Sequence, residues 1–208
     1  GNFFQGHPYG MSDGGLDIIN WMNDVGYTAL VPGENDFILG QDNLNNLANQ
    51  ANFPFVMSNL ICNNCDLKSE NIKQYIIKEI NGVKIGIIGI VNSAITDLSL
   101  SINTNGIEFE NSIESLDKWV KFLKKENEVN AIIVLTSSGI PWDREEKYND
   151  FNEKVNQEFI DPYALNLNSL EIGRFANSVD IIISGGVSKG YDTPWYDPYS
   201  HVYIFQNY

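Results

Sequence analysis

The residues of this 208-residue chain that could carry chemistry are few and scattered. Glu34 and Asp36 sit two apart in the loop Val31-Pro32-Gly33-Glu34-Asn35-Asp36-Phe37, and Asp13 lies in an earlier Gly-rich turn. Oxygen-rich loops of this kind suit a hard cation; otherwise their carboxylates are solvated and cap the next helix. Ser137-Ser138 could offer a hydroxyl nucleophile, but a hydroxyl needs a neighbouring base. The chain contains two histidines, His7 and His201, and their spacing is not that of a ligand pair or of a base beside Ser137. Cys62-Asn63-Asn64-Cys65 is a single Cys-x-x-Cys pair, where a zinc site would need a second pair or suitably spaced histidines. A local disulfide and two free thiols both fit. Lys189 is a lone cation in a Gly-rich loop, and Trp195, Tyr196 and Tyr199 make an aromatic, Pro-rich stretch. That stretch reads as a partner surface or as a packed cap.

Strands and helices must position these residues. Apolar spacing predicts helices over 14–25, 39–51, 113–125 and 166–176. Short apolar runs predict strands over 27–31, 53–61, 131–135, 179–183 and 202–205. Asn81-Gly82 between the runs 74–80 and 83–91 is a hairpin signal, and Ile85–Val91 is apolar throughout, as a strand covered on both faces is. Residues 142–162 are polar and acidic and read as an exposed insertion. Alternating strands and helices with one hairpin make an α/β fold with mixed sheets in a single domain, 1–208.

Composition narrows the function. Hydrophobic residues make up 43% and aromatics 12%, which is globular composition. The net charge of −14 disfavours nucleic acid and anionic lipid as partners. No apolar run reaches the roughly 20 residues that span a bilayer.

Several segments, in order, resemble the calcineurin-like metallophosphoesterases, in the branch of the bacterial 5'-nucleotidases. The 1–6 segment, Gly-Asn-Phe-Phe-Gln-Gly, resembles the family's Gly-Asp-x-x-Gln-Gly loop. The loop 33–37 resembles Gly-Asn-His-Glu-Phe-Asp in its length, flanking glycines and Phe37. Phe53–Leu60 resembles the Phe-Pro…Ala-Asn strand, and 77–91 the hairpin that follows it. Residues 131–139 resemble the Leu-Ser-His-x-Gly strand and loop, and 179–189 the Val-Asp-x-Ile-x-Gly-Gly-His-Thr-His segment. The resemblance implies a four-layer αββα sandwich with mixed sheets. It also implies that the first strands, with the family's Asp-x-His motif, would precede Gly1. The chain reads as a mature, cleaved or excised piece in which another segment or a protein partner completes the sheet.

The family uses two divalent metals, such as manganese or zinc, joined by a bridging carboxylate. In the matching positions stand Asn2 for the bridging Asp, Glu34 for the Asn ligand, Asn35 for the catalytic His, Ser137 for a His, and Val187 and Lys189 for the last two His. An amide bridges two cations poorly, valine has no lone pair, and an ammonium repels a dication. The expectation is therefore no metal cofactor and a catalytically dead domain. Its role would be binding or structural, in an exported protein of the periplasm or cell surface. Lys189 either replaces the lost charge and pairs with Glu34 or is an exposed loop lysine. One alternative is an active phosphoesterase with an unusual site built from Glu34, Asp36 and Asp13. Another is a nucleotide-binding module without turnover, using a basic pocket around Lys189.

Overall fold

The computed structural model describes residues 1–3, 10 and 12–206; His7 lies outside them. The organising unit is a six-stranded sheet. Its first two strands are β4 (Tyr75–Ile80) and β5 (Val83–Ile90), antiparallel with Ile80 opposite Val83. Asn81 and Gly82 between them have φ of 52° and 82°, which a two-residue turn of the right twist requires. From β5 the ladder continues through parallel neighbours. These are β7 (Ala131–Thr136), β8 (Ile181–Ser184) and β10 (Tyr203–Gln206), with the short β9 (Trp195–Tyr196) antiparallel at the edge.

The crossovers are helices on one face of this sheet. Helix α4 (Ser112–Glu126) starts where the Asn111 side chain accepts from the N–H groups of Ile113 and Glu114, and it ends with Lys124 and Lys125. Both arrangements suit a helix electrostatically. Helices α5 (Arg144–Asn156) and α6 (Ser169–Arg174) return the chain from β7 to β8. Leu116, Val120, Leu123, Leu170 and Ile172 pack on Ile88, Ile132, Val134, Ile182 and Ile204 in one apolar core.

The opposite face meets a smaller layer. β1 (Phe55–Val56) and β3 (Ile72–Lys73) pair in parallel, and Leu30 bridges Phe55. The layer is stitched to the large sheet where Ser58 donates its N–H to Gly89 O and accepts from Gly89 N. Helices α1 (Leu16–Val25) and α2 (Gly40–Gln50) close the outside, around a second core of Ile19, Leu44, Leu47, Phe37, Phe53 and Phe55. The layers thus run helix, sheet, short sheet, helix. A two-stranded ribbon of β2 (Leu60–Cys62) and β6 (Ile107–Phe109), a short α3 (Ile95–Leu98), and 3-10 turns at Glu34–Phe37 and Pro162–Ala164 complete the described chain.

Four expectations change. The 27–31 strand reduces to one bridge at Leu30, with Tyr27 40% exposed, because the segment has a neighbour on one side only. The 53–61 strand divides into β1 and β2. Leu60 N turns back to Met57 O, and the Asn59 amide pairs with both backbone groups of Val91 in place of a ladder. The 166–176 helix shortens to α6. The 142–162 stretch holds α5, whose surface is largely solvated but whose Tyr148, Phe151 and Asn152 are buried.

Candidate functional site

The candidate site lies at the C-terminal ends of β5, β7 and β8, against the loop 32–36. Parallel strands end there with their loops side by side, which is where such sheets place ligands. The β7 and β8 loops are joined by backbone bonds, Gly139 N to Gly185 O at 2.8 Å and Gly185 N to Thr136 O at 2.7 Å. Ser137 is buried, and its Oγ accepts from Asn92 N at 3.0 Å, which fixes the β5 loop to the β7 loop.

Across from these loops, Asn2 and the 33–36 turn form a closed hydrogen-bond knot. Asn2 Nδ2 donates to Glu34 Oε1 at 2.9 Å, and Asn2 Oδ1 accepts from Asn35 N at 3.0 Å. Asp36 Oδ2 accepts from Asn2 N and from Gly33 N, each at 2.8 Å. Asp36 is 1% exposed. It is therefore an internal acceptor for two backbone N–H groups and no solvated loop carboxylate. Position 33 must be glycine here, because a Cβ would stand 2.1 Å from Asn2 Oδ1. Asn2 itself has φ of 60°, a left-handed conformation that asparagine tolerates better than most residues.

The remaining positions do not join the knot. Val187 is 73% exposed. Lys189 lies 5.0 Å over the Tyr191 ring and makes no ion pair with Glu34 among the described residues. It also acts on Glu145. The Arg144 hydrogen bond, chiefly, with Lys189 adding a smaller pull, holds that carboxyl below its ordinary range. Asp13 is spent at the start of α1, accepting from Gly15 N at 3.0 Å and Asp17 N at 2.6 Å, and these bonds hold its carboxyl low, the Asp17 bond most. Among the described residues no three His, Cys, Asp or Glu side chains converge, so Asp13 does not meet Glu34 and Asp36.

The pair of family metals does not fit this donor set. Asn2 Oδ1 is taken by Asn35 N and Glu34 Oε1 by Asn2 Nδ2, Asp36 Oδ2 is occupied twice, and the side chains of Val187 and Lys189 offer no ligand. What the arrangement does is hold the 1–3 segment to the 33–36 loop through hydrogen bonds. Beside the knot runs a groove of about 690 Å³, lined by Asn2, Tyr27, Leu30, Val31, Leu135 and Ile183 among others.

The aromatic stretch divides. Trp195 is packed down, with its ring 5.0 Å from Tyr148, while Tyr196 and Tyr199 are about half exposed. Tyr196 OH meets His201 Nδ1 at 2.8 Å, and the Arg174 guanidinium lies 3.6 Å over Tyr199. The residue that organises the stretch, Asp197, did not emerge from the sequence reading. It is wholly buried and accepts from Tyr148 OH, Tyr199 N and Ser200 N. The Asp-Pro-x-Ser order at 197–200 is an Asx-turn signal that could have revealed it. Cys62 and Cys65 are joined by a disulfide, with Cα atoms 5.2 Å apart.

No family model matches the chain. Among solved structures, the 5'-nucleotidase precursor of Thermus thermophilus superposes with a TM-score of 0.70 at 21% identity, over 95% of this chain and 36% of that one. The fold is that of the calcineurin-like phosphoesterases, in its 5'-nucleotidase form. Snake venom 5'-nucleotidase of Gloydius brevicauda is 32% identical over 146 residues, and the cell wall protein Lmo0130 of Listeria monocytogenes 32% identical over 87. These cover 67% and 42% of this chain. The chain spans 24% and 11% of their lengths. No helix of the described residues is long and apolar enough to cross a membrane.

Proposed function

We propose that residues 1–208 form a non-hydrolysing 5'-nucleotidase-type domain that serves as a binding or structural module of an exported protein. The observation that carries this is the Asn2–Glu34–Asn35–Asp36 knot. At the positions where the fold family places metal-bridging and acid–base groups, the Asn2 side chain bonds to the Glu34 carboxylate and to the Asn35 backbone N–H. Asn35 has no titration near neutrality with which to protonate a leaving group. Export is supported by the words "cell wall" and "precursor" in two related names and by the Cys62–Cys65 disulfide, which persists in oxidising compartments. The module would work through contacts with other polypeptide, with Tyr196 and Tyr199 as candidate contact residues.

The test is an assay of the purified chain with nucleoside monophosphates and a generic phosphodiester, in added manganese or zinc, beside elemental analysis of the unchelated protein. The expected result is no turnover above the blank and no near-stoichiometric transition metal. Metal-dependent hydrolysis would overturn the reading in favour of a site using Glu34 and Asp36. Stabilisation by a nucleotide without turnover would mark a nucleotide-binding module instead.

A further inference from the structure

The loop between α3 and β6 holds aliphatic side chains out into solvent. Leu98, Leu100 and Ile102 are 69%, 71% and 80% exposed, and they alternate with Ser99 and Ser101. Ile38 and Leu39 are exposed beside the same loop, where Asn103 Nδ2 donates to Ile38 O at 2.9 Å. Exposed aliphatic residues gathered in one place mark a contact surface.

The loop is held at both ends. Ile95 is fully buried before it and Thr104 is buried after it. Asn103 N donates to Leu100 O at 2.8 Å, which closes a turn within the loop. Gln41, near the start of α2, donates from Nε2 to Asn105 O at 2.9 Å and accepts from Asp66 N at 2.6 Å. The aliphatic side chains thus stand on a backbone that is already hydrogen-bonded, so a partner that meets them has little left to order.

Between this loop and α2 runs a groove of about 580 Å³, lined by Leu39, Gln41, Asp42, Asp66, Ile102 and Asn103 among others. Its lips are apolar and its rim is acidic. Asp66 pairs with Lys68 at 2.7 Å, but both side chains are well exposed and such a pair is weak. Asp42 makes no ion pair among the described residues, and exposed Asp97 adds a further carboxylate just before Leu98.

We propose that this groove and its aliphatic loop dock a basic, apolar segment of a partner protein. A Lys or Arg of the partner lays its stem between Leu39 and Ile102 and its charge at Asp42 and Asp66, while neighbouring apolar side chains cover Leu100. The carboxylates choose the occupant. They attract a cationic segment, and they repel both an anionic lipid surface and a second copy of a chain whose net charge is −14. This groove shares no lining residue with the one beside the Asn2 knot, so the proposal stands apart from whether that site hydrolyses.

The experiment is selection of a random peptide library on the purified chain, followed by titration of the enriched peptides in solution. The expected peptides carry Lys or Arg beside Leu, Ile or Phe. Their Kd should rise at least about tenfold with Ile102→Ser and with Asp42→Asn, and should be unchanged by Phe159→Ser, an exposed apolar position outside the groove. Leu100→Ser supplies a second aliphatic position should Ile102→Ser fail to fold. Finding no peptide that depends on both the aliphatic loop and Asp42 overturns the proposal. Peptides lost with Ile102→Ser but indifferent to Asp42→Asn overturn it too, because the surface is then an unselective apolar patch. Two other results also overturn it, each sensitive to Ile102→Ser. Binding to phosphatidylcholine vesicles would make the occupant a membrane, and self-association would make it a second copy.

Discussion

Asn2 and Glu34 are bonded side chain to side chain, amide to carboxylate, at 2.9 Å across 32 residues of sequence. That bond gives the carboxylate oxygens of the loop an amide donor, and it ties the segment around Asn2 to the 33–36 loop.

Restoring a carboxylate there is expected to destabilise the fold. Asn2→Asp removes the Nδ2 donor and brings a third carboxylate beside Glu34 and Asp36, at a cost of about 1–3 kcal/mol. Like charge raises the new group's pKa in the folded state. The variant's folded form is then favoured below the ordinary Asp pKa, and stability is lost as the pH rises through the raised value. Denaturant midpoints of the variant and parent should diverge above that range and converge below it.

Gly33→Ala tests the knot from the other side. The added methyl collides with Asn2 Oδ1, and the expected loss is about 1–3 kcal/mol, seen as a lower denaturation midpoint with an unchanged slope. A midpoint equal to the parent's would mean that the knot opens at no cost.

The Tyr148–Asp197 contact carries a pH prediction. Burial, first, and the bond to Asp197, second, push the Tyr148 phenol well above its ordinary value. In the unfolded chain it ionises near pH 10. Stability from this group is therefore complete below that pH and is lost as the pH rises toward the folded value. Tyr148→Phe should flatten that alkaline decline. It should also cost about 1–3 kcal/mol at neutral pH, because buried Asp197 loses a donor.

Reduction of Cys62–Cys65 is expected to cost little. The loop it closes is four residues long, and the chain-entropy estimate for such a loop is about 2 kcal/mol. Thermal melts with and without reductant should show one cooperative transition, modestly shifted. A collapse of folding on reduction would give the bridge a larger role.

Much was legible in the chain itself, because those features depend on neighbours in sequence. The Asn81-Gly82 hairpin, the amphipathic α4 and the apolar runs of β5 and β7 follow from side-chain periods and local turn chemistry. That the chain carries Asn2, Asn35 and Val187 in the segments that resemble the family's motifs is likewise a matter of residue type, readable without coordinates. The tertiary structure decided what is long-range. Asn2 meets Glu34 and Asp36 only because the fold sets the 1–3 segment against the 33–36 loop. Lys189 lies over Tyr191 and near Glu145, and not at Glu34. Asp197 became an internal acceptor, and the polar 142–162 stretch proved to pin Tyr148 and Phe151 into the core. A single buried hydrogen bond leaves no periodic trace in sequence, so only the packing of distant segments shows which polar residues satisfy one another.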